Sequence, residues 1–439
     1  MNFRIIYFLL SIVLLSSCKE KNTVEVKPDL DGLARKYVKL ALMIGKDDPS
    51  FVDAYYGPDS LKPNTDGLKV FPKDSLLNEV YYLIAAVKDF ESGEKNDTIK
   101  NRAGWISDQL VAFARRIKVF ATEYDSFDNE SEELFGAAAP VYDEKYYKDL
   151  VSELDTLLQG MGTVQERFQG LASRFIIPKN KLDVVFKAAI EESRKRTKIY
   201  YELPEKESFS LEYVKDKSWS GYNWYKGNYT SLIQINTDLD IFIDRAIDVG
   251  SHESYPGHHV YNMLLEKNLY HDQDLVEISM YPLFSPQSLI AEGTANYGIE
   301  VAFPGDEKTI FARDVLLPLA GLDTLGISLY FKALAIKGKL NYARNEAARG
   351  LINKTMTEEE AQKWLEDYGL FNAESAAKSI SFIKENRSYV INYNYGMDLV
   401  RDYVEAQIKD NPTPENRWKV FGELMSRQVR IRDLLKETK

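Results

Sequence analysis

From about residue 30 to about residue 200, apolar side chains recur at three- and four-residue spacing. Leu76, Leu77, Val80, Tyr81, Leu83, Ile84 and Val87 are one such set, and that spacing stacks them on one face of a helix. No strand-like alternation competes over this half. Between Glu207 and Asn236 the texture changes: Trp219, Tyr222, Trp224, Tyr225 and Tyr229 are interleaved with Gly221, Gly227 and Asn228, and Leu232-Ile233-Gln234-Ile235 follows. This predicts a small sheet here and nowhere else. Helical patterning then returns to the C-terminus, with a capping-box signature at Thr357 and Glu360 and breaks at Pro412 and Pro414. No internal repeat or low-complexity block interrupts it. The expected fold class is mainly α: one large helical domain over residues 30–439 with a minor sheet beside a central helix.

The extreme N-terminus follows a different pattern. Arg4 precedes an apolar run from Ile5 to Leu15 that ends in Leu15-Ser16-Ser17-Cys18. The run is shorter than the roughly 20 residues a membrane-spanning helix needs, so residues 1–17 are expected to be a signal peptide. The segment resembles the bacterial lipoprotein pattern, which implies lipidation of Cys18 as the mature N-terminus. It also implies membrane attachment through that N-terminal lipid anchor, in the cell envelope, on the periplasmic face or the outer surface. Residues 18–29 lack apolar periodicity and read as a flexible tether. Cys18 is the only cysteine, so the fold is expected to hold no disulfide. The 56 Lys+Arg against 67 Asp+Glu give a net charge of -11, which argues against nucleic acid as a partner.

The chemistry concentrates in one place. Three of the four histidines fall in His252-Glu253-Ser254-Tyr255-Pro256-Gly257-His258-His259, directly after a helical face built from Leu239, Phe242, Ile243, Ala246 and Ile247. A peptidase zinc needs two neutral imidazoles, a third ligand, an open position and a nearby carboxylate to take a proton from water. His252 and Glu253 with a later histidine supply most of that set. On an unbroken helix, however, a residue six positions on points about 120° away, and one seven positions on lies about 10 Å along the axis. Pro256 cannot bond the carbonyl of residue 252 and Gly257 tolerates unusual backbone angles, so a loosened or bulged turn is expected between Glu253 and the second histidine.

HESYPGHH resembles the HExxPGHH signature of a bacterial family catalogued as domain of unknown function 885, grouped with the gluzincin metallopeptidases. The resemblance implies a helical gluzincin-type fold and one Zn²⁺. Related enzymes carry a Gly-His pair at the second ligand, which selects His258 here and leaves His259 as the alternate, supporting the ligands or touching substrate. The family's later EGWALYAE pattern is similar to Glu292-Gly293-Thr294-Ala295-Asn296-Tyr297-Gly298-Ile299-Glu300. This implies Glu292 as third ligand, with Glu300 orienting a histidine or pairing with an arginine. Arg387 to Gly396 resembles a late family segment in which related enzymes supply a tyrosine to the oxyanion, implying Tyr393 or Tyr395.

The function these residues imply is a zinc-dependent peptidase acting on peptide substrates, with Glu253 as general base. A helical binding or scaffold lipoprotein that keeps the same shell without turnover is the alternative. The gluzincin resemblance implies that Leu232 to Asn236 is an edge strand that pairs with an extended peptide, with a purely structural hairpin as the other reading. His271, in the polar run Tyr270-His271-Asp272-Gln273-Asp274, is expected on the surface.

Overall fold

Asp29 opens the first helix: its side chain accepts from the Gly32 amide at 2.7 Å, and Leu30–Asp47 follows with Leu33, Tyr37, Leu40 and Ile44 buried along one face. The computed structural model describes residues 29–63 and 71–437. The predicted signal peptide, Cys18 and residues 18–28 of the tether lie outside the described residues. Helix Lys73–Gly93 buries Leu76, Val80, Leu83 and Val87, the periodic set read from the sequence, and packs on Asp97–Phe120. Thr357 and Glu360 form the full capping box of Glu358–Gly369, and Pro414 starts the helix that ends at Met425. Among the described residues no helix is long and apolar enough to cross a membrane.

Among the described residues five strands interrupt this mainly helical architecture: β1 (Val52–Tyr55), β2 (Ser208–Val214), β3 (Gly221–Gly227), β4 (Thr230–Asn236) and β5 (Met280–Pro282). β2, β3 and β4 form the sheet expected from the aromatic-rich stretch, in the order β2-β4-β3, with β2 parallel and β3 antiparallel to β4. This corrects one expectation. β4 is the central strand with both edges already paired, so Leu232 to Asn236 cannot accept a substrate strand. A second correction is the antiparallel pair of β1 and β5, which the sequence reading did not foresee.

Four helices carry the functional residues: α1 (Ile243–Glu253), α2 (His258–Leu265), α3 (Pro286–Ala302) and α4 (Ile391–Ile408). In α3 every residue except Asn296 and Glu300 is buried, which makes it the central helix of the molecule. It packs most extensively against α4. The two backbones meet where both sequences have glycine: a Cβ on Gly293 would lie 2.3 Å from the Gly396 carbonyl oxygen, and one on Gly396 would lie 2.6 Å from that of Leu289.

Alanine at 293 would raise intrinsic helix propensity by about 1 kcal/mol. The atom it would strike is backbone oxygen, which cannot swing aside, so overpacking wins. Gly293→Ala is expected to lower stability by about 1–3 kcal/mol, read as a shift of the urea midpoint at unchanged slope. An unshifted midpoint would show that the two helices can separate at little cost.

Candidate metal centre

α1 ends at Glu253 because Ser254 leaves the helical region, with φ -115° and ψ -94°, and Pro256 brings no N–H to continue the ladder. The chain does more than loosen here. It breaks, crosses residues 254–257 in a non-helical path, and starts α2 at His258. The Gly257 amide donates to the Ser251 carbonyl at 3.2 Å. A Cβ on Gly257 would sit 1.9 Å from the His252 carbonyl oxygen, so only glycine permits so tight a return.

This return places His252 Nε2 and His258 Nε2 3.1 Å apart. α3 adds Glu292, whose Oε2 lies 3.2 Å from His252 Nε2 and 3.7 Å from His258 Nε2. Ligands about 2.0–2.1 Å from a tetrahedral ion stand about 3.3 Å from one another. The three measured separations bracket that value, so the donor set fits a single small cation. Glu292 Oε2 is also buried without a hydrogen-bond partner, an orphan that a cation would satisfy.

The ligand atoms are held from behind. His252 Nδ1 lies 2.9 Å from Asn296 Oδ1, and Asn296 Nδ2 donates to the Tyr393 carbonyl at 2.8 Å. With the Asn296 oxygen accepting, His252 carries its proton on Nδ1, which would leave the Nε2 lone pair for a cation. Glu292 Oε1 accepts from the Tyr389 hydroxyl at 2.8 Å, which leaves Oε2 for the centre. Burial disfavours a charged His258, but Glu292, then Glu253 and Asp53, outweigh it and raise the imidazole to about 9. Burial alone would raise Glu292; the two histidines reverse this and hold it well below the usual carboxylate range. The cage thus attracts positive charge.

Glu253 is buried at the end of α1, and its backbone carbonyl accepts from Asn223 Nδ2 of β3 at 2.6 Å. Burial, with the charge of Glu292, pushes its carboxyl above the ordinary value against the pull of His252 and His258. Burial and the charges of Glu292 and Glu253 raise Tyr393, and its ring lies 5.8 Å, centroid to centroid, from that of Tyr389, which bonds Glu292.

Three sequence-predicted residues lie elsewhere. Tyr395 is raised by burial and then by Asp398, Tyr142 and Asp402, none of them a cage residue. Glu300 is exposed, in the field of Lys308 and Arg401, and the residue that orients a histidine is Asn296 instead. His259 is fully buried and spans Ser231 Oγ at 2.8 Å and Glu207 Oε1 at 3.0 Å, which rules out contact with substrate. His271 is exposed and bonds Glu266 at 3.1 Å.

The sequence reading also missed Asn296, Tyr389, Asp53 and Tyr222. Asn296 stands one turn after Glu292, a spacing that could have singled it out. Asp53 and Tyr222, whose hydroxyl donates to Asp53 Oδ1, come together from β1 and β3; Tyr222 belonged to the pattern that predicted the sheet, but nothing local tied it to Asp53.

No family model matches the chain, and no curated protein matches it. Solved structures resemble it at low identity. One is a predicted lipoprotein from Colwellia psychrerythraea, with a TM-score of 0.54 and 16% identity over 85% of this chain and 64% of that one. This chain therefore spans less than two thirds of that relative's length. Metallocarboxypeptidase 1 of Trypanosoma cruzi aligns at a TM-score of 0.47 and 9% identity, over 93% of this chain and 94% of that one. An M32 carboxypeptidase from Deinococcus radiodurans R1 aligns at 0.43 and 11%, over 93% and 94%. At 16% identity the likeness to the Colwellia psychrerythraea protein is one of fold alone.

Removing the group that fixes a ligand imidazole costs about 10–100-fold in metal affinity where it has been measured. Asn296→Ala is expected to weaken zinc binding by that factor with far-UV circular dichroism unchanged, as read by competition with a chromophoric chelator. Unaltered affinity would mean that Asn296 does not orient His252.

Proposed function

We propose that this chain is a zinc-dependent peptidase of gluzincin type, with His252, His258 and Glu292 as ligands and Glu253 as general base. The observation that carries the reading is the spacing of two Nε2 atoms and one carboxylate oxygen at 3.1, 3.2 and 3.7 Å, beside a second, buried carboxylate. A site that only stored metal would have no use for Glu253.

Zinc bound there supplies Lewis acidity and makes water acidic enough to ionise near neutral pH. Glu253, its proton affinity raised by burial, accepts the proton of the attacking water and passes it to the departing amine. Tyr393, neutral and in the same electrostatic cluster, donates its hydroxyl proton as a hydrogen bond to the developing oxyanion. Tyr389 keeps Glu292 oriented and Asn296 keeps His252 in its metal-binding tautomer. With the lipoprotein-like segment at residues 4–18, the reading extends to a lipid-anchored enzyme of the bacterial envelope that trims peptides.

Zinc-loaded protein is expected to hydrolyse members of a mixed short-peptide library, with activity lost to chelator and restored by zinc. Glu253→Gln should abolish turnover while retaining one zinc per chain, and Tyr393→Phe should lower kcat by about 10²–10³-fold. Equal cleavage by wild type and Glu253→Gln, followed by mass spectrometry, would defeat the peptidase reading.

A further inference from the structure

The pairing of β1 with β5 is irregular at one point. Val52 faces Pro282 and Ala54 faces Tyr281, so Asp53 is the extra residue of a bulge. A bulge re-aims the side chain of its unpaired residue, and such irregularities gather beside active sites. β5 leads by a short turn into α3, the helix of Glu292, while β3 supplies Tyr222, whose hydroxyl donates to Asp53. The next residue of β3, Asn223, holds the Glu253 carbonyl, and Gly221 lies against the Glu253 side chain. Asp53 is therefore anchored to the same strand segment that braces the general base.

We propose that Asp53 anchors the free α-ammonium group of a peptide substrate, so that the metal centre acts on the amino-terminal end of short peptides. This rests on the metallopeptidase reading and adds a substrate class to it.

Charge is the supporting argument. Among the described residues Asp53 forms no ion pair with Lys or Arg, and its one hydrogen-bond partner is the neutral Tyr222 hydroxyl. Burial raises its carboxyl to about 6, with the Tyr222 hydrogen bond and His258 opposing and Glu292 and Glu253 adding to the rise. A divalent ion would offset Glu292 and Glu253. Asp53 would remain as a carboxylate beside the reacting groups with no protein cation, which is the environment that favours an incoming ammonium. Trp219, just ahead of β3, and Tyr222 and Trp224 on it pack ring against tilted ring, with centroids 5.4 and 4.5 Å apart, so that apolar surface adjoins the Tyr222 hydroxyl that holds Asp53. A side-chain ammonium of substrate could reach the same carboxylate only on peptides that contain lysine. The amino terminus is present on every short peptide.

The test uses the full chain carrying zinc and Glu253→Gln, so that binding is read without turnover. Calorimetry would compare tetra-alanine, Nα-acetyl-tetra-alanine and Nα-acetylated peptides with one lysine. The expected result is that the free peptide binds at least about 30-fold more tightly than its acetylated form. Adding Asp53→Asn should remove that difference while leaving the affinity for the acetylated peptide and the zinc content unchanged. Equal affinity of the free and acetylated peptides overturns the proposal without recourse to any Asp53 variant, as does absence of binding by both. An acetylated lysine peptide that binds as tightly as free tetra-alanine also overturns it, by placing a side chain at Asp53. Turnover by the zinc-loaded wild type separates the two readings. A preference in binding with no hydrolysis of either peptide leaves the anchor standing and removes the peptidase. Hydrolysis of both at equal rates does the reverse.

Discussion

Two imidazoles six residues apart can face one ion only if the helix between them stops. Everything at the metal centre depends on the path of residues 254–257, where Ser254 leaves helical geometry, Pro256 withholds a donor and Gly257 passes so close to the His252 carbonyl that no side chain fits. That path turns a separation of about 9 Å along an ideal helix axis into 3.1 Å between ring nitrogens. The third ligand depends on a second backbone constraint of the same kind. Gly293 and Gly396 let α3 and α4 touch main chain to main chain, and this contact brings Tyr389 to Glu292 and the Tyr393 carbonyl to Asn296. Glycine at these positions is thus as much a part of the site as the ligands.

Without a cation the cage is electrostatically awkward. Glu292 is buried with one oxygen that accepts no hydrogen bond, Glu253 is buried near it, and the compensating charge falls on His258, which holds its proton up to about 9. Desolvating several carboxylates costs several kcal/mol per ion unless positive charge returns that energy. Such local conflict between burial and charge is what a functional site retains while the rest of a sequence agrees with its fold. A divalent ion held by His252, His258 and Glu292 would remove the conflict at Glu292.

The helical frame was legible because its signal is local. The 3.6-residue period of Leu76 to Val87, the capping box at Thr357 and the aromatic alternation before Asn236 each act within a few residues, and each recurs in the structure. The pairing of β1 with β5 joins segments more than two hundred residues apart through strands of four and three residues, too short to leave a pattern. Asp53, on β1, was invisible for that reason, whereas Tyr222 was placed on the expected sheet and only its bond to Asp53 was hidden. Misplaced site residues have a rotational cause. Glu300 lies eight positions after Glu292, about 80° round the helix and about 12 Å along it, whereas Asn296 lies about 40° round and one turn away. Tyr395 is about 200° from Tyr393, so when one faces the cage the other turns out, while Tyr389, in the short turn ahead of α4, reaches Glu292.

The same rotation decides between the paired histidines, and it explains the sheet. Neighbours on a helix diverge by about 100°, so once His258 meets His252, His259 must turn toward whatever packs on the other side of α2. There Ser231 of β4 and Glu207, just ahead of β2, receive it. Glu207 also accepts from Arg194 at 2.8 Å and from the Tyr255 hydroxyl in the helix break. Burial would raise this carboxyl, but His259 and Arg194 hold it below its ordinary value, so it is an ionised hub rather than a stray acid. Through that hub the sheet grips both the break and the start of α2, and through Asn223 it grips the end of α1. A sheet whose central strand has both edges paired is a brace, and what it braces is the geometry that keeps two imidazoles pointed at one place.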